Sequence, residues 1–371
     1  EEHEVALVDA LRAAAAALEG ARVGGGDITR LDADVRRHEN ELRMTRLRAE
    51  RGAARGPRDP LLDPAELRRA VGDATLVHFV AGGDRLAAVV VTATRSRLVD
   101  LGAAAAVTEL IERQAASLRR MSRTASPRIA EAAAAALDDD SAELDALLLD
   151  PLRLAGDRPM IVVPVGLLHA LAWAALPSLR RRPFLIAPSA RMWLRSSAGT
   201  RPTNGVALLG GPGLTHASDE LQELETVYAA DASVVEPEAS IGTAIDAFER
   251  HSLVHVAAHG EFRADNALFS TLRFADGPLN LFDIERLTSV PDVVVLAACD
   301  AGAAAHAGNE LIGTSAALLR MGVRNVVAPT LEVSDEAAAR LMTDFHRRLA
   351  DGEVPTDALV AARTAAFDRA T

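Results

Sequence analysis

From residue 158 onward, short uninterrupted apolar runs alternate with segments of helical character: Met160 to Val165, Val206 to Leu209, Leu253 to Ala258, Val293 to Ala298 and Asn325 to Ala328. A strand that is apolar at every position is buried on both faces, and the arrangement that buries it so is a parallel sheet covered by helices. Helix starts fall where this reading needs them. Ser218 precedes Asp219 and Glu220, and Ser334 precedes Asp335 and Glu336, each a cap followed by first-turn acids. Gly322 and Gly352 are read as stops for helices ending near Met321 and Asp351.

Ahead of this unit the pattern differs. Leu76 to Ala81, Leu86 to Thr92 and Arg97 to Leu101, separated by Gly82-Gly83-Asp84 and a polar turn, read as a strand meander; Ala-rich helices follow over 103–149. Asp138-Asp139-Asp140 lacks the ligand spacing of a calcium loop and is read as a helix-ending acidic cluster. Earlier still, Leu7, Leu11, Ala14 and Leu18 lie on one helical stripe and Ile28, Leu31, Val35 and Leu42 on another, broken by Gly24-Gly25-Gly26. The expected organisation is therefore a helical hairpin over 1–56, a smaller α/β region over 57–157 and the parallel-sheet unit over 158–371. The hairpin is read as the remnant of a helical array, because a lone helix pair buries little.

Composition removes several classes. The 371 residues, 49% apolar, suffice for two cores. No stretch approaches the ~18 apolar residues of a membrane span, and no signal segment opens the chain. The chain begins at Glu1, which reads as a fragment or processed chain. Its single cysteine excludes an internal disulfide framework and a four-thiolate zinc site, and a reducing cytoplasm fits; no metal or cofactor is expected. All forty basic residues are arginine, so phosphate loops and Schiff-base sites lack their lysine. That disposes of Gly210-Gly211-Pro212-Gly213 as a nucleotide loop. The net charge of −12 argues against an extended nucleic-acid surface. The one basic stretch, eight arginines from Arg36 to Arg58 against Glu39, Glu41 and Glu50, is read as a solvated helix face.

Two residues carry chemistry. His259 follows the Leu253 run and Cys299 follows the Val293 run, so two strands of a parallel sheet deliver an imidazole and a thiol to the carboxyl edge, where such sheets bind ligands. A thiol is mostly protonated at neutral pH and needs a base beside it to act as a nucleophile. Gly260 lets the backbone approach a substrate carbonyl, so its N–H and that of Cys299 can form an oxyanion hole, where losing one donor costs about 3 kcal/mol. Each residue alone is better explained structurally, as a core thiol or a surface imidazole; taken together, the structural and the catalytic explanation of the pair stand level. His255, two residues before the strand end, is read as facing the core.

The chain resembles the CHAT peptidases, bacterial caspase-like relatives of separase. The resemblance covers about 62–371. It rests on Pro164-Val165-Gly166-Leu167-Leu168-His169-Ala170-Leu171-Ala172-Trp173, on Ala258-His259-Gly260, and on Leu296-Ala297-Ala298-Cys299-Asp300-Ala301-Gly302. It continues through Asn309-Glu310-Leu311-Ile312-Gly313 and the stretch from Val326 to Asp335. It implies an α/β fold with a caspase-like sheet of mostly parallel strands flanked by helices, and a cysteine endopeptidase with Cys299 as nucleophile and His259 as base and acid. It further implies a protein substrate, latency until a partner or signal arrives, a regulatory or sensor partner on the N-terminal helices, and a role in bacterial defence. His169 reads as structural. The chain departs from the family in lacking a serine shortly before the cysteine and in carrying Leu331 where a tryptophan is common. Ala297 cannot serve as the pocket acid for a basic substrate side chain, which leaves Glu332 and Asp335, the latter better explained as a first-turn residue of the last large helix. Two other classes compete: a catalytically silent scaffold of the same fold, disfavoured because thiol and imidazole are both present, and a nucleic-acid-responsive adaptor working through Arg36 to Arg58.

Overall fold

The computed structural model describes residues 2–23, 28–53, 62–124, 126–196, 205–214, 217–229, 232–261, 271–280, 283–284, 287, 289–297, 305–307, 310–312, 314–329 and 335–370. Leu7, Leu11 and Leu18 on α1 (Glu2–Val23) meet Val35 and Leu42 on α2 (Thr29–Ala53) in one buried strip, as their helical spacing requires. Ile28 stays outside the strip, exposed. Within α2 the basic stretch is partly neutralised by its own helix: Arg36 pairs with Asp32 at 2.8 Å and Arg37 with Asp34 at 2.7 Å.

A first sheet begins after α3 (Pro64–Val71), whose first turn is capped by the Asp63 carboxylate accepting from the Ala65 N–H. The meander is β1 (Thr75–Gly82), β2 (Arg85–Val91) and β3 (Ser96–Ala103), followed by α4 (Ala104–Arg123) and α5 (Pro127–Leu148). Next come β4 (Met160–Val163), β5 (Phe184–Ile186) and α6 (Ala190–Ser196). The strand order is β3-β2-β1-β4-β5, antiparallel through the meander and parallel from β1 to β5.

This corrects one expectation. The apolar pattern puts Met160 to Val165 with the strands of the second sheet, yet β4 pairs with β1, so a division by sheets falls after β5 and not at 157/158. An all-buried strand looks alike in either sheet, and its pattern carries no information about its partner. The two faces are covered separately. Val77, Phe79 and Val162 lie under α4 and α5, while Leu76, Ile161 and Val163 lie under α3 and α6. The acidic triplet sits inside α5 rather than at its end, with Asp140 paired to Arg113 and Asp138 to Arg180.

The second sheet comprises β6 (Val206–Gly210), β7 (Ala232–Glu236) and β8 (Leu253–Ala257), with α7 (Ala217–Tyr228) and α8 (Ile241–Arg250) as crossovers. A small antiparallel sheet of β9 (Gly260–Glu261), β10 (Thr271–Phe274) and β11 (Gly277–Asn280) follows directly, and α1 packs against β11. Then come β12 (Val293–Leu296), the hairpin β13 (Ala305–Ala307) and β14 (Glu310–Ile312), and α9 (Thr314–Met321). The last elements are β15 (Asn325–Val327), α10 (Asp335–Ala350) and α11 (Pro355–Ala370). All pairings in the order β15-β12-β8-β6-β7 are parallel.

Alternate residues of β8 face opposite layers. Val254 and Val256 pack with Phe248 of α8 and Leu318 of α9; Leu253 and Ala257 pack with Leu221 and Leu224 of α7 and Phe345 of α10. α11 reaches back to the first sheet. The Arg363 guanidinium lies 4.9 Å over the Phe184 ring, and Asp368 pairs with Arg181 at 2.7 Å. Burial pulls Arg363 down to about 10, still charged at neutral pH. Among the described residues no helix is long and apolar enough to cross a membrane.

Candidate functional site

The carboxyl edge of the second sheet is set by the pairing of its two central strands. β8 and β12 run in parallel register, Val295 beside His255 and Leu296 beside Val256, and the Ala297 N–H donates to the Val256 carbonyl at 2.8 Å. His259 stands three residues past Val256, and Cys299 is three residues past Leu296 in the chain. Cys299 itself lies outside the described residues, as does Glu332; Asp335 opens α10, with its side chain likewise outside them.

His259 is exposed, and its Nε2 lies 3.4 Å from the Gly213 carbonyl oxygen. A carbonyl only accepts, so this contact assigns the proton to Nε2 and leaves Nδ1 as the basic nitrogen. The glycine turn that supplies the carbonyl has a structural task that its resemblance to a phosphate loop conceals. A Cβ on Gly210 would stand 2.2 Å from the Pro237 carbonyl oxygen, and one on Gly211 would stand 2.4 Å from the Arg273 carbonyl oxygen. The Gly211 N–H also donates to the Ala257 carbonyl at 2.8 Å. The turn must pass close to β7, β8 and β10 at once, and glycine is what allows it. The sequence signalled a glycine-rich turn after a strand; it carried no signal that the turn touches His259.

Gly260 is held by β10. The Arg273 N–H donates to the His259 carbonyl at 2.8 Å, which makes 259 and 273 the hydrogen-bonded pair of the β9–β10 ladder. Gly260, opposite Leu272, is then in the alternate pair, so its N–H points away from β10. An amide turned outward beside the imidazole is what an oxyanion donor requires.

Beneath this edge, His255 is fully buried, as its place on the strand led us to expect. Its Nδ1 lies 3.0 Å from Nε2 of His346 on α10, and Nδ1 of His346 lies 2.8 Å from the Tyr228 hydroxyl on α7. Burial first, and the neighbouring His255 second, hold His346 well below the ordinary histidine value; burial also raises the Tyr228 phenol. The unfolded chain takes up a proton on His346 as pH falls through about 6.5 while the folded chain does not, so the unfolded state binds more protons and stability is lost on acidification. We expect this single group to remove about 1 kcal/mol between pH 6.5 and 5.5. Thermal melts across that window should show the loss, and His346→Gln should flatten it.

Comparison with known proteins agrees with this fold. The CHAT domain model matches residues 129–370, starting within α5 and thus later than the expected 62. No curated protein matches the chain. Among solved structures, the chain is similar to two crystal structures of the Saccharomyces cerevisiae separase–securin complex, with TM-scores of 0.60 and 0.55. Identity is 10% in both, with 81% of this chain and 29% of that chain covered. The present chain therefore spans under a third of the length of those chains, and the likeness is one of fold: a caspase-like parallel sheet flanked by helices. The family match extends over well more than half of the chain and includes both strands that lead to His259 and Cys299, and on that ground the chain belongs to the CHAT domain family.

Proposed function

We propose that the chain is a cysteine endopeptidase that hydrolyses peptide bonds of a protein target through Cys299 and His259. The observation that carries this reading is the register of β8 and β12, which brings the chain to the same sheet edge three residues before each of the two. Nδ1 of His259 takes the thiol proton, and the Cys299 sulfur attacks the peptide carbonyl carbon. The Gly260 and Cys299 amides receive the negative charge that develops on the carbonyl oxygen. The imidazolium then returns its proton to the departing amine, and the neutral ring activates a water that releases the acyl group and restores the thiol. The Gly213 carbonyl keeps the ring oriented through both transfers.

Glu332 and Asp335 are the acids proposed to receive a basic side chain on the amino side of the scissile bond. A protein partner is proposed to hold the enzyme latent or release it, acting through the α1–α2 hairpin, whose contact with β11 connects it to the small sheet carrying Gly260. That the similar solved structures are of a separase–securin complex supports control by a partner. Cytoplasmic location and a part in bacterial defence belong to the same proposal.

The test is to incubate the intact protein with a diverse peptide library, alone and with co-encoded proteins, and to read new termini by mass spectrometry. Cleavage at a consistent residue is the expected result. Silence in every arm, with a thiol that also resists alkylation, would overturn the peptidase in favour of a scaffold.

A further inference from the structure

Four polar side chains lie end to end inside the apolar layer between the second sheet and α7 and α10. His255 and His346 are 0% exposed, and the Glu220 side chain, in the first turn of α7, is 10% exposed. The His255 ring joins His346 through Nδ1 and faces Glu220 through Nε2, 3.4 Å from Oε1; His346 in turn joins Tyr228. Leu208 and Val295 flank His255 on the neighbouring strands.

The protons can be placed in one consistent direction. With a neutral His255 whose Nε2–H faces the Glu220 carboxylate, Nδ1 is an acceptor. His346 therefore donates from Nε2 to His255 and accepts at Nδ1 from the Tyr228 hydroxyl. With both imidazoles neutral the chain runs Tyr228 to His346 to His255 to Glu220.

Such an arrangement is costly where it stands. Burying polar groups is unfavourable even when they bond, and apolar side chains of similar size would pack the same layer at least as well. What a buried polar chain adds is geometry: the Tyr228–His346–His255 hydrogen bonds, with Glu220 Oε1 held 3.4 Å from His255 Nε2, are made in one alignment of their elements and broken in others. Here those elements are the ones that bear the site. Glu220 and Tyr228 are on α7, directly after the turn whose Gly213 carbonyl meets His259. His255 is on the strand that ends in His259, and His346 is on the helix that Asp335 opens.

We propose that Glu220, His255, His346 and Tyr228 form a buried clasp that fixes α7 and α10 on β8 and thereby positions the His259 imidazole toward Cys299. The four are positioning residues and touch no substrate. The proposal rests on the Cys299–His259 reading, and its test separates the two.

Because the chain has a single cysteine, alkylation of the intact protein by iodoacetamide reports Cys299 alone. The rate against pH gives the thiol's midpoint, with no substrate needed. In the unsubstituted protein it should fall below the free-thiol value of about 8.5, and His259→Ala should return it there. Tyr228→Phe and Glu220→Gln, which preserve side-chain shape, and His255→Gln should each raise the midpoint by up to about one unit, a rate at pH 7 lower by up to about tenfold. Leu224→Val, an apolar change in the same layer, should lower the melting temperature and leave the midpoint in place. If the clasp variants lose stability without moving a midpoint that His259→Ala does move, the clasp is only structural and the dyad stands. If His259→Ala leaves the midpoint unchanged, dyad and clasp fall together. Should His255→Gln fail to fold, the two shape-preserving variants decide the matter.

Discussion

Cys299→Ala is expected to abolish every cleavage made by the intact protein, and His259→Ala to reduce kcat/KM by about 10²- to 10⁴-fold, the range that positioned acid–base groups contribute. The two effects should differ in kind. Alanine at 299 removes the atom that bonds to the substrate, so no turnover passes through it. Alanine at 259 leaves a thiol that can still ionise in part, and a slow reaction that rises with pH should survive. Stability separates loss of chemistry from loss of fold: His259 is exposed, so its replacement should change unfolding free energy by no more than about 0.5 kcal/mol. Measuring kcat/KM against pH for a cleaved peptide, with thermal melts of the same samples, checks all of this. A His259→Ala enzyme of unchanged rate would remove the imidazole from the reaction.

The second large effect is expected from the glycine turn. Gly210→Ala and Gly211→Ala would place a methyl 2.2 Å from the Pro237 carbonyl oxygen and 2.4 Å from the Arg273 carbonyl oxygen, respectively. Both obstacles are backbone, so no rotamer change relieves them and β7 or β10 must move. We expect a loss of about 3 kcal/mol for each, near the upper end of ordinary overpacking. Gly211→Ala should also depress cleavage, because its methyl would meet the Ala258 Cβ at 2.8 Å, next to His259. Gly242→Ala is the control. Its nearest neighbour would be the Ser240 Oγ at 3.7 Å, and it sits in α8, where alanine should raise stability by about 0.5–1 kcal/mol. Chemical denaturation of the three variants distinguishes crowding from a general sensitivity of glycine positions.

Much of this site can be read from the chain because its parts are local. The strand run and the residue just past it adjoin in sequence, so Val254 and Val256 announce a buried strand and His259 announces itself at its end. The order of strands does not have this property. β4 is as apolar as β8, and nothing within Met160–Val163 says that its partner is β1. The clasp was illegible for a stronger reason: His255 and His346 are 91 residues apart, and Tyr228 and His346 are 118 apart. His255 appears in the sequence as one polar residue inside an apolar strand, and His346 as one more polar residue between Asp344 and Arg347-Arg348. The Gly213 carbonyl escaped notice because a backbone atom has no letter of its own; only the fold shows that the turn after β6 touches the imidazole.

The return of α11 to the first sheet sets an order of assembly. The strands of each sheet can pair as they are made, but Arg363 over Phe184 and Asp368 on Arg181 also brace the two sheets, and these contacts form only after residues 363 to 368 have been synthesised. Domains that emerge first begin folding first during translation. A nascent chain would therefore hold its histidine strand and its cysteine strand on a sheet that still lacks the brace of α11 against Phe184 and Arg181.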